Sequence, residues 1–148
     1  GYTTTDCKVF ETIDAFAKGA IEADMLINIG WLRSGRYDDI EEEIRRFVAA
    51  ASGRITKVIL ETSYLSEAEK IQGVRLVKRG GANFVKTSTG FSTGGATEED
   101  IRLMVREAGD SLQVKASGGI RSREIAEKML DLGATRLGAS HPERLFSF

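Results

Sequence analysis

Short apolar runs alternate with amphipathic segments of helical length along nearly the whole chain, and that rhythm narrows the possible folds more than any other feature. The strand-like runs cover residues 23–29, 56–61, 82–87, 112–116 and 135–138. Their starts at 23, 56, 82, 112 and 135 lie 33, 26, 30 and 23 residues apart, the span of one strand plus one crossover helix. The near-continuous apolar character of the runs predicts strands buried on both faces, as in a parallel sheet.

The segments between them carry a 3.6-residue period. Residues 39–51 place Ile40, Ile44, Phe47, Val48 and Ala51 on one face, and the run Glu41-Glu42-Glu43 reads as a solvated face. Residues 66–79 open with Ser66-x-x-Glu69, a capping box, and residues 97–108 open in the same way with Thr97 and Asp100. Residues 122–132 bury Ile125, Met129 and Leu132 on this reading, with Gly133 as the stop. Residues 11–18 form one more helix before the first strand, and the opening GYTTT reads as a loop. Gly-Ala pairs precede three of the strands, at Gly19, Gly81 and Gly133, which points to a repeated βα module.

Repeated βα units close into a barrel or stay open as a doubly wound sheet. No G-x-G-x-x-G follows the first strand. Instead Asn28, Glu61, Lys86, Lys115 and Ser140 sit at or near the carboxyl ends of successive strands, which is where a (β/α) barrel gathers its functional groups. A full barrel takes eight strands and about 250 residues. With 148 residues, the chain reads as a single domain, residues 1–148, holding about five strands of such a barrel, the earlier ones lying outside it.

Composition excludes several classes. A formal net charge of −1 offers no basic excess for nucleic acid or an anionic membrane. The apolar runs are too short to span a bilayer. One cysteine and one histidine argue against a His/Cys zinc site, and the lone cysteine fits a reducing, cytoplasmic setting. Trp31 reads as loop packing, and His141 and Cys7 as residues without a chemical role.

Two lysines carry the chemical signal. Lys86 ends an apolar strand and enters the hydroxyl- and glycine-rich tract Thr87-Ser88-Thr89-Gly90, and Lys115 ends the next strand in VKASGGIRS. Adjacent strands lie roughly 5 Å apart. Two ammonium groups at that separation repel by about 3 kcal/mol at an effective dielectric of 20, or about two pK units, which would bring a lysine to about 8. A neutral amine of that kind can attack a carbonyl; the alternative is two unrelated lysines whose heads reach water. Asp24, inside the first apolar run, either pairs with a lysine and shuttles protons or holds its head in solvent. Gly118, Gly119 and Arg121 lead from strand to helix, and Gly138 and Ser140 follow the last strand. Both segments suit a phosphate, through close backbone approach, helix N-terminal N–H groups and a fixed cation.

These segments, DMLINIG (24–30), KVILET (57–62), ANFVKTSTGF (82–91), VKASGGIR (114–121) and GATRLGAS (133–140), closely resemble class I deoxyribose-phosphate aldolase. The resemblance implies a partial (β/α)8 barrel and a metal-independent lyase without cofactor, converting 2-deoxy-D-ribose 5-phosphate into D-glyceraldehyde 3-phosphate and acetaldehyde. It gives Lys86 the role of Schiff-base nucleophile, Lys115 that of the neighbour lowering its pKa, and Asp24 that of the proton-relay carboxylate. Thr89, Gly90, Gly118, Gly119, Arg121, Gly138 and Ser140 take substrate and phosphate. It also implies three further strands before Gly1, carrying polar site residues, and a different continuation after Ser140 from the His141-Pro142-Glu143-Arg144 found here. An inactive piece that binds sugar phosphate or a complementary subunit is the alternative. Homo-oligomerisation or pairing through exposed sheet edges follows from an open arc of strands.

Overall fold

The computed structural model describes residues 1–146. Five parallel strands, β1 (Glu22–Leu26), β2 (Ile55–Ile59), β3 (Phe84–Lys86), β4 (Gln113–Ser117) and β5 (Arg136–Gly138), pair in chain order. The helices are α1 (Thr5–Ala17), α2 (Ile29–Arg33), α3 (Tyr37–Ala50), α4 (Glu67–Gly80), α5 (Glu98–Ala108) and α6 (Arg123–Asp131). The predicted rhythm is realised as a half-barrel, part of a (β/α)8 fold.

The sheet is strongly curled. Strands β1 and β5 are four spacings apart, which in a flat sheet is roughly 19 Å. Even so, Arg136 on β5 donates to Glu22 on β1 at 3.1 Å. Alternation along the strands divides the residues between the two faces. Val58, Leu60, Val85, Val114 and Ala116 point toward the helices, where Ile44, Phe47, Val74, Val77, Ile101 and Met104 seal a core almost free of solvent. Glu22, Asp24, Lys57, Lys86, Lys115 and Arg136 occupy the other face. The strands are therefore apolar on one side and charged on the other, not apolar on both as the composition of the runs suggested.

Local chemistry sets the ends of the elements. Ser66 and Glu69 form the expected capping box. Thr97 caps α5 through Asp100 N, but the Asp100 carboxylate does not reach back; it is buried and accepts from Lys70 of α4 at 2.6 Å. Gly19, Gly81 and Gly133 have φ of +100°, +82° and +101°, a left-handed turn that returns each helix to its next strand.

Several local expectations change. Helix α1 starts at Thr5, capped by Thr4, so GYTTT ends in a helix start and is not a loop throughout. Strand β1 ends at Leu26, because the Asn28 side chain accepts from Trp31 N and caps α2. Asn28 is thus a cap, and Trp31 lies on a helix, stacked under Arg36 at 4.6 Å. Glu43 is buried, not solvated, since it shares the inner face of α3 with Ile40, Ile44 and Phe47; Lys8 pairs with it at 2.8 Å. Ile125 is exposed, and Ala126 takes the inward position on α6.

Candidate functional site

Lys86 and Lys115 occupy paired register positions on β3 and β4. Both side chains rise from the charged face and meet the carboxylate of Asp24: Lys86 Nζ lies 2.8 Å and Lys115 Nζ 3.3 Å from Asp24 Oδ2. The other oxygen, Oδ1, accepts from Lys57 Nζ at 2.8 Å. Lys57 is 3% exposed and also touches Glu22 at 2.6 Å, which in turn takes Arg136. Four cations from four strands thus face two carboxylates from β1.

That excess of positive charge shapes the titrations. Burial works to raise the pKa of Asp24. Hydrogen bonds from Lys57 and Lys86, with the charges of Lys86 and Lys115, outweigh burial and hold it down at about 2. Glu22 is lowered by its bonds to Lys57 and Arg136. Lys115 is lowered, first by burial and then by the charge of Lys86, against the opposing pull of Asp24. Burial beside a second cation thus disfavours the ammonium form of Lys115.

Lys86 also opens onto a cleft of about 550 Å³. Thr89 and Gly90 line one side, Gly118, Gly119 and Arg121 another, and Gly138 and Ser140 a third, with His141 at the rim. Three successive strand–helix junctions supply these walls, because each β strand hands its last residue to a loop on the same end of the sheet. Ser122 caps α6 through Ile125 N, so the N-terminal end of that helix lies just beyond Gly118, Gly119 and Arg121. A side chain on Gly138 would come within 3.0 Å of Ser117 Cβ and 3.4 Å of Lys115 Cε; the close approach leaves room for Lys115.

All ten residues singled out from the sequence therefore fall into two adjoining groups. Asp24, Lys86 and Lys115 form the charged cluster. Thr89, Gly90, Gly118, Gly119, Arg121, Gly138 and Ser140 line the cleft, and Lys86 belongs to both. Lys57, Glu22 and Arg136 were not singled out, and Glu61 was noted only as a polar residue at a strand end. Glu22 was detectable as a charge two residues before Asp24, which places both on one face; Lys57 and Arg136 are single charges in their strands and carried no such repeat. Among the described residues no group of three or more His, Cys, Asp or Glu side chains is arranged to hold a metal ion.

A curled parallel sheet with a lysine-centred cluster at the carboxyl ends of its strands defines a (β/α)-barrel protein with its site in the usual place for that fold. The family described as DeoC/LacD family aldolase matches residues 2–140, and the chain belongs to that family. It is 56% identical over 140 residues to a deoxyribose-phosphate aldolase of Staphylococcus haemolyticus, covering 95% of this chain and 64% of the relative. The chain thus spans less than two thirds of that relative's length. Among solved structures, a putative deoxyribose-phosphate aldolase from Coccidioides immitis superposes with a TM-score of 0.94 at 47% identity, covering 98% of this chain and 58% of that one. The deoxyribose phosphate aldolase of Aeropyrum pernix, described as tetrameric, gives 0.89 at 30% identity, covering 98% and 62%.

Proposed function

We propose that this chain carries the lysine chemistry of a Schiff-base aldolase acting on 2-deoxy-D-ribose 5-phosphate. The observation that carries the reading is the convergence of Lys86 and Lys115 on one oxygen of Asp24 beside a glycine-lined cleft. The names of the relatives supply the substrate.

Lys86 Nζ, once neutral, attacks the C1 carbonyl; water leaves and an iminium forms. Removal of the C3 hydroxyl proton lets the C2–C3 bond break, its electron pair moving toward the iminium nitrogen to give an enamine. Glyceraldehyde 3-phosphate departs, a proton returns to C2, and hydrolysis releases acetaldehyde and restores Lys86. We assign the movement of those protons to Lys115, with its lowered pKa, and to Asp24, bonded to both lysines. The backbone N–H groups of Gly118 and Gly119, the Arg121 guanidinium and Ser140 are suited to the phosphate.

We place the protein in the cytoplasm, in keeping with its single cysteine; no described helix is long and apolar enough to cross a membrane. Among the described residues β1 and β5 each have one unpaired edge, and Phe10, Ile13 and Ile21 are exposed nearby. These features support association with a second copy or a complementary segment.

Borohydride reduction in the presence of acetaldehyde tests the chemistry. A reduced two-carbon adduct at Lys86, absent from Lys86→Ala, is expected. Adducts confined to other lysines would overturn the assignment.

A further inference from the structure

We infer that Glu61 is the positioning residue for the wall of the cleft formed by Thr89 and Gly90, and so governs anion affinity separately from the lysine chemistry. The inference rests on the reading of the cleft as the phosphate end of the site.

Residues 87–96 form a loop between β3 and α5 that is anchored at both ends by backbone. At its start the Thr87 hydroxyl donates to Ser117 O at 2.8 Å and accepts from Ser117 N at 3.0 Å. At its end Ala96 N donates to Ser117 O and Gly118 O at 3.1 and 3.0 Å. Gly95 packs so closely that a side chain there would come within 2.4 Å of Gly118 O. The middle is held more lightly: Gly90 has φ of +91°, Phe91 is 97% exposed, and the Ser63 hydroxyl lies 3.3 Å from Ser92 Oγ.

Glu61 supplies what the middle lacks. One carboxylate oxygen accepts from both Thr89 N, at 3.1 Å, and Thr89 Oγ1; the other accepts from Ser92 Oγ at 2.8 Å. The residue is 3% exposed and sits just past β2 with φ of +57° and ψ of 63°. That left-handed backbone is rarely adopted by a residue with a Cβ and persists where its surroundings enforce it, commonly at functional sites. A strained, buried carboxylate that spends its three hydrogen bonds on one loop fixes the shape of that loop, and Thr89 and Gly90 are the part that lines the cleft.

The geometry also predicts which replacements work. Glutamine in place of Glu61 keeps the length and can accept from Thr89 with its oxygen while its amide donates to Ser92 Oγ. The Ser92 proton is then free to turn to Gly94 O, 3.2 Å away. Aspartate is too short, and alanine supplies no acceptor.

The test is a titration of the full chain with inorganic phosphate, followed by the amide resonances of Gly118 and Gly119, alongside acetaldehyde trapping at Lys86. Glu61→Ala and Glu61→Asp are expected to raise the phosphate Kd at least tenfold while trapping slows less than threefold; Glu61→Gln stays within threefold on both. Thr89→Val, which deletes one hydroxyl of the clamp and leaves the carboxylate in place, raises Kd about threefold and gives a second measure should the alanine variant fold poorly. An unchanged Kd in Glu61→Ala and Thr89→Val overturns the inference, as does Glu61→Gln failing as badly as alanine. Equal losses of affinity and trapping overturn it too, because they would assign Glu61 a general structural role. Absence of trapping in the unmodified chain, with phosphate still bound, counts against the aldolase reading alone.

Discussion

Lys86 and Lys115 sit opposite each other in the β3–β4 register, and their nitrogens share a single carboxylate oxygen, Asp24 Oδ2, at 2.8 and 3.3 Å. Two ammonium groups drawn to one oxygen gain from its charge and repel each other through it. The balance therefore depends on Asp24 staying ionised and on how far each lysine is removed from water.

Replacing Asp24 with asparagine should cost stability as well as chemistry. Lys57 keeps Glu22 as a partner, but Lys86 and Lys115 lose the anion between them. A loss of about 1–3 kcal/mol is expected, below the value for a fully buried pair because the Asp24 side chain keeps 26% of its surface exposed. Urea unfolding of Asp24→Asn against the parent measures it, and an equally stable variant would show that the cluster contributes nothing net to folding.

Acid should weaken the fold through the same residue. The pKa of Asp24 falls from 3.8 in the unfolded chain to about 2 in the folded one, so between those values the unfolded state binds more protons and stability drops as pH falls. The contribution is fully present above about pH 4 and is lost as pH passes through 2. It amounts to on the order of 1–2 kcal/mol once partial exposure is allowed for. Asp24→Asn should flatten that part of the curve, and an unchanged acid limb would refute the attribution.

At high pH the slope keeps its sign, but there it marks the relief of a penalty. Lys115 is held below its ordinary 10.5 by burial, with Lys86 adding to the effect. Between the folded and unfolded values the unfolded chain again carries more protons, so stability rises with pH up to about 10.5. Lys115→Met should remove this rise and slow acetaldehyde trapping at Lys86 at least tenfold. A trapping rate equal to that of the parent would exclude Lys115 from the reaction.

Gly138→Ala tests the close approach of β5 to β4. The added methyl would lie 3.0 Å from Ser117 Cβ, tighter than side chains ordinarily pack, and would touch Lys115 Cε at 3.4 Å, so Ser117 or β5 must shift beside the lysine. A destabilisation of about 1–2 kcal/mol is expected, together with a larger drop in trapping than in thermal stability. Wild-type trapping in this variant would mean that Lys115 accommodates the methyl without consequence.

The five-unit rhythm, the capping box at Ser66 and the left-handed glycines before the strands were all readable in one dimension, because they depend on neighbours within a few residues along the chain. So were Lys86, Lys115 and the two glycine-rich loops, since parallel βα units deliver strand ends to one edge of the sheet. Asp24 was ambiguous. Its partners lie 33, 62 and 91 residues away, and only the curl of the sheet shows that they meet. Glu43 and Ile125 ran against their local patterns for the same reason: the packing of α1 on α3, and the side of α6 that meets the sheet, are not written in either helix alone.

Sequence by itself settled the order of the five strands and the longer helices between them and which chemical groups they carry, though not the short α2 or the start of α1, since periodicity and capping are local energies. Tertiary structure decided the rest: that Lys57 and Glu22 extend the charge cluster, that Arg136 bridges from the last strand to the first, and that Glu61 grips a loop 28 residues onward. The physical reason is curvature. Bending five strands into an arc brings side chains from distant strands within hydrogen-bonding distance, and charges brought that close in a partly buried space change one another's protonation.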